Sequence, residues 1–147
     1  MKYKTIICPV DGGETTDAVA EHAAYISKTT DAKLILVNVI EKWYRSQGLV
    51  TDSAEWQKIH DEWLGEGREL LEKTAKALTA KGVKHVETSL REGDAAYEIV
   101  ALALERNADL IVMATKRYSP LGKLFVGSLT DKVTRKAPCP ILWVFSE

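Results

Sequence analysis

Residues 113–129, MATKRYSPLGKLFVGSL, hold the side chains best suited to binding an anion. Lys116, Arg117 and Lys123 bring three positive charges into one stretch, and Gly127-Ser128 stands just before a helical pattern. Helix-end amides and basic side chains both hold phosphate, the first by partial positive charge and the second by full charge. The stretch lacks early glycines that would let backbone amides close around a phosphate. Pro120 removes one amide donor and restricts Ser119. A nest built of amides alone is therefore disfavoured, and charge would have to replace it. The plainer reading is a solvated basic loop in which Ser128 only caps a helix. A second candidate is Asp11, in Val10-Asp11-Gly12-Gly13. A carboxylate there can face a ligand or a metal, or simply build the turn.

The elements that must position these residues alternate strand and helix. Thr5–Cys8 is a β-branched run ended by Pro9 and the turn signal Asp11-Gly12-Gly13. Thr15 to Thr29 is helical, with Val19, Ala23 and Ile26 on one face. Lys33–Ile40 is apolar enough for a strand buried on both faces. Glu41 to Thr51 is a loop holding Trp43 and Tyr44, which either cover a ligand or pack on neighbouring structure. A long helix runs from Asp52 to Lys81, with Asp52 and Glu55 at capping-box spacing. Gly65 and Gly67 weaken its middle, which leaves room for a kink or break in the one helix. Gly82 ends it. Val83–Leu90 alternates as a strand near a sheet edge. Gly93-Asp94 opens a helix whose face is Ala96, Ile99, Val100, Ala103 and Leu104. Asp109–Met113 is the fourth strand, Ser128–Lys136 a short helix with Ser128 and Asp131 at capping-box spacing, and Cys139–Phe145 the fifth strand.

This order predicts an α/β fold with a parallel sheet and helices on both faces. Such sheets bind ligands beyond the carboxyl ends of their strands, where the winding reverses. The ends of strands one and four are Val10-Asp11-Gly12 and Met113-Ala114-Thr115.

The 147 residues suit one domain with a sizeable core, and 46% are apolar. A net charge of −1 gives no basic field for nucleic acid. No run reaches the roughly 20 apolar residues of a membrane span, and no signal-peptide stretch precedes Asp11, so a cytoplasmic protein is expected. Cys8 and Cys139 have no partner at CxxC spacing and read as buried free thiols. His22, His60 and His85 fall on different elements and suggest no metal site.

Several segments resemble the universal stress protein family over essentially the whole chain. They are Ile7-Cys8-Pro9-Val10-Asp11, Val37-Asn38-Val39-Ile40, Arg91-Glu92-Gly93-Asp94, Asp109-Leu110-Ile111-Val112-Met113, and Gly127-Ser128-Leu129 with Ala137-Pro138-Cys139-Pro140-Ile141-Leu142. The resemblance implies a three-layer α/β/α, Rossmann-like fold with five parallel strands in order 3-2-1-4-5. It also implies a homodimer, often made by antiparallel pairing of the last strands. Pairing along Ile141–Phe145 would cover an exposed edge.

Many members of that family bind ATP and others do not. Binding members carry Gly, two residues, Gly, nine residues, then Gly-Ser or Gly-Thr. Here the spacing survives, but Ala114 and Arg117 replace the first two glycines. The implied site is Pro9, Val10, Asp11, Val39, Met113, Ala114, Thr115, Lys116, Arg117, Gly127, Ser128 and Leu129. In it Asp11 lies near the ribose or a metal, a backbone group of Val39 reads the adenine edge, and Pro9 and Met113 form the floor. The ligand would be ATP or another adenine nucleotide, with magnesium if ATP. The alternative is a nucleotide-independent protein-interaction dimer whose degenerate loop (Ala114, Arg117, Pro120) no longer binds ATP. Catalysis is disfavoured: no Walker motif or nucleophile elbow occurs, and slow ATP hydrolysis would lack an evident base.

Overall fold

The computed structural model describes residues 2–41, 54–116 and 127–146. Its strands are β1 (Thr5–Pro9), β2 (Lys33–Ile40), β3 (Val86–Glu92), β4 (Leu110–Lys116) and β5 (Ile141–Ser146). Its helices are α1 (Thr16–Thr30), α2 (Ala54–Ala80), α3 (Ala95–Glu105) and α4 (Ser128–Lys136). The strands form a parallel sheet in order β3-β2-β1-β4-β5, as the resemblance implied.

Alternation along the strands divides the core. Ile6, Cys8, Leu34, Leu36, Leu110 and Val112 point to the face covered by α1 and α2, where they meet Val19, Ala23, Leu71 and Leu78. Ile7, Ile35, Val37, Ile111 and Met113 point to the other face, against Ala96, Ile99 and Ala103 of α3 and Val133 of α4. Three layers follow, because each central strand is apolar on both faces and each helix buries one stripe.

Charge and capping fix the elements at their ends. Asp94 caps α3, its carboxylate accepting from the Tyr97 N–H at 2.9 Å. Arg91 of β3 donates to Glu98 and, through both terminal nitrogens, to Glu105, so α3 is tied to the sheet edge. Asp109 Oδ2 accepts from the amides of Lys4 and Thr5, joining the base of β4 to the start of β1.

Several expectations need correction. α2 runs unbroken through Gly65 and Gly67. The proposed cap Asp52 lies outside the described residues. Strand β3 begins at Val86, because Val83 is spent ending α2, its N–H donating to Leu78 O at 3.1 Å. In α3, Leu104 is exposed and Leu102 is buried in its place. Strand β4 continues to Lys116, since Ala114, Thr115 and Lys116 pair with Val144, Phe145 and Ser146. Strand β5 begins at Ile141, so Cys139 precedes it and is only half-buried. The N-cap of α4 is Gly127, and Ser128 is its first helical residue.

Candidate functional site

Strands β1 and β4 are in register only at Ile6↔Leu110 and Ile7↔Ile111. Beyond those pairs each strand turns to its outer neighbour. β1 stays on β2 as far as Pro9↔Val37, and β4 stays on β5 as far as Lys116↔Ser146. The strands therefore part at the point where the winding reverses, and a crevice of about 110 Å³ opens there.

Pro9, Val10, Asp11, Val39, Met113, Ala114 and Leu129 line this crevice, seven of the residues implied by the resemblance. Its floor is apolar: Met113, Val37 and Ile99 are almost fully buried. Sequence reasoning missed Thr16, Asn38, Ala95 and Ile99, which also line it. Asn38 carried a signal, being the one amide inside the apolar run KLILVNVI. Ala95 and Ile99 carried none beyond helical spacing.

The turn after β1 is held by a closed set of hydrogen bonds. Val10 N–H donates to Val37 O at 2.9 Å, and Val10 O accepts from Asn38 Nδ2 at 2.8 Å. Asp11 Oδ1 accepts from the Gly13 amide at 2.8 Å and from the Thr16 hydroxyl at 3.2 Å. The Gly12 amide donates to Thr16 Oγ1 at 3.0 Å. Gly12 has φ of +81°, a conformation that glycine adopts without strain. Asp11 therefore builds its turn and also faces the crevice.

Ala114 lies in regular strand, and its φ is not positive. The backbone does not require glycine at that position. Thr115 is turned to α4, its hydroxyl 2.9 Å from that of Thr130. No side chain among the described residues caps α4, because its N-cap is Gly127. Thr115, Gly127 and Ser128 are not among the residues that line the crevice. Arg117, Ser119, Pro120, Lys123, Trp43 and Tyr44, and the side chain of Lys116, lie outside the described residues.

A second cleft, of about 430 Å³, lies across the same ridge on the side of α2. It shares Asp11, Asn38 and Val39 with the crevice and is walled by Trp63, Glu66, Gly67 and Leu70. Asp11, Glu41 and Glu66 give it three carboxylates, which repel a phosphate chain. One helical turn before Trp63, buried His60 meets the Glu92 carboxylate at the end of β3 through Nε2. Cys8 of β1 is sealed in the core, and burial pushes its thiol up to about 12. Among the described residues, no group of three or more His, Cys, Asp or Glu could hold a metal. No helix among them is long and apolar enough to cross a membrane.

The model of the universal stress protein family matches residues 2–144. Universal stress protein MJ0531 of Methanocaldococcus jannaschii is 36% identical over 142 residues, covering 97% of this chain and 82% of that one. A putative universal stress protein of Staphylococcus aureus is 36% identical over 148 residues, covering all of this chain and 87% of its own. Among solved structures, hypothetical protein MJ0577 superposes with a TM-score of 0.83 at 25% identity, over 100% of this chain and 99% of that one. A universal stress protein of Archaeoglobus fulgidus in complex with dAMP has the same fold, with a TM-score of 0.69 at 20% identity over 97% and 98% of the two chains. With the strand order, the divided core and the crevice at the switch point already in place, the full-length match settles the lineage: the chain belongs to the universal stress protein family.

Proposed function

We propose that this protein is a cytoplasmic stress-response homodimer that binds an adenine nucleotide in the crevice between β1 and β4. The observation that carries the reading is the parting of those strands over an apolar floor, with Asp11 and Leu129 of α4 in the lining. A volume of about 110 Å³ suits a base rather than a whole nucleotide. The base would lie inward on Met113 and Ile99, with the backbone of Val39 at its edge. The acidic cleft beside α2 turns the phosphates the other way, toward α4, and Lys116, Arg117 and Lys123 supply positive charge in the sequence before that helix. If the ligand is ATP, magnesium would be carried by the phosphates. Relatives solved with cAMP and with dAMP support an adenine ligand for this fold.

For the homodimer the support is strand β5, which among the described residues pairs with β4 alone and forms the edge of the sheet. Phe145 there is 51% exposed. A second chain on that edge would satisfy its backbone groups.

The test is calorimetry of nucleotide-stripped protein with ATP, ADP, AMP and cyclic AMP, with and without magnesium. Saturable binding lost in Met113→Trp, which fills the floor, supports the reading. No heat with any of the four favours the nucleotide-independent dimer, a reading that the replacement of the loop glycines supports. Light scattering reads the dimer directly.

A further inference from the structure

We propose that Thr16 is a positioning residue that decides whether the site distinguishes ribose from deoxyribose; this rests on the nucleotide reading above. Thr16 is 7% exposed and lines the crevice. Its hydroxyl accepts from the Gly12 amide at 3.0 Å, so its own proton is free to go elsewhere, and Asp11 Oδ1 stands 3.2 Å away. The direction of that proton is thus set by the amide. The Gly13 amide reaches the same carboxylate oxygen at 2.8 Å. Two donors on Oδ1 hold the carboxylate's rotation, and Oδ2 is left as the acceptor that Asp11 can offer a ligand in the crevice it lines. A rigid acceptor discriminates between a ligand that offers a hydroxyl and one that lacks it, since no rearrangement offsets the lost bond. A carboxylate free to rotate discriminates less.

The experiment compares AMP with dAMP by calorimetry on wild type, Thr16→Ser and Thr16→Val. Wild type is expected to prefer AMP by about tenfold, the size of one hydrogen bond to a charged group. Thr16→Ser keeps the hydroxyl and should keep the ratio. Thr16→Val keeps the volume but loses the hydroxyl, and the ratio should fall to about twofold or less, mainly through weaker AMP binding. A purely structural role for Thr16 would weaken both ligands equally and leave the ratio unchanged, which overturns the proposal. If neither ligand binds wild type, the nucleotide reading itself has failed. If Thr16→Val does not fold, NMR of ligand-free wild type decides. A Thr16 hydroxyl proton that exchanges slowly and shows an NOE to the Gly12 amide supports the relay, and a freely exchanging one overturns it.

Discussion

Gly67 of α2 lies so close to Asn38 of β2 that a Cβ on the glycine would stand 2.8 Å from Asn38 Oδ1. The same atom would stand 2.7 Å from Leu90 Cδ1. The glycine lets the long helix rest on the ends of β2 and β3, where it walls the larger cleft. Gly65, two residues earlier, has nothing within 4 Å of the same position. The two glycines therefore differ in sign. Gly65→Ala should raise stability by about 0.5–1 kcal/mol through helix propensity alone. Gly67→Ala should lower it by about 1–3 kcal/mol, because Asn38 must move and its bond to Val10 weakens. Urea midpoints of the two variants check this, and equal gains would show that α2 is not pinned at Gly67.

Ala114→Gly separates conformation from space. The position is regular strand, so glycine is not needed for its backbone. Stability should fall by about 0.5–1 kcal/mol from the added chain entropy. Nucleotide affinity should change by less than about threefold, a fraction of the weight of one hydrogen bond. A tenfold gain by calorimetry would mean that the methyl blocks the ligand.

An acid limb of stability is expected from Glu87. Its carboxyl is held below the usual carboxylate range, first by the hydrogen bond from Lys33 and then by that from Arg106. The folded-state value lies below the unfolded one, so the contribution is complete above about pH 4.3 and is lost as pH falls through the folded value. The pair is well exposed, so Glu87→Gln should cost about 0.5 kcal/mol or less at neutral pH. It should also flatten the fall in urea midpoint below about pH 4.3. An unchanged acid limb would show that other carboxylates dominate it.

The two thiols should separate under alkylation of the native protein at pH 8. The Cys8 thiol, raised to about 12 by burial, offers almost no thiolate. Cys139 is also raised, by burial and then by the charge of Asp109, but it is half-buried and within reach. Mass spectrometry should find Cys139 labelled slowly and Cys8 only after unfolding. Equal rates would mean that the core around β1 opens readily.

Much of the fold was legible because the central strands are apolar on both faces and each helix carries one stripe. The failures have local causes. Helical periodicity put Leu104 in the core of α3, but the stripe that faces the sheet takes in Leu102 and leaves Leu104 outside. Glycine's low propensity suggested a break in α2, whereas packing on Asn38 required the glycine that propensity penalises. The end of β4 was hidden for a related reason. Ala114, Thr115 and Lys116 look like loop in isolation and become strand only because β5 offers partners. At the site, Asp11 and Met113 were readable from the family pattern. Thr16 was not, because a hydroxyl in a helix's first turn has an ordinary capping explanation and only the geometry shows where its proton goes.

The two rungs joining β1 to β4, and the Lys4–Asp109 hydrogen bond beside them, connect parts of the chain more than a hundred residues apart. Local pairing of β1 with β2 can arise early in synthesis, but the gap beside it has no second wall until β4 has been made and docked. A ligand held there would recognise only completed chains. Its binding free energy would add wholly to the native state and nothing to a half-made one, so occupancy would act as a check on maturation as well as a signal.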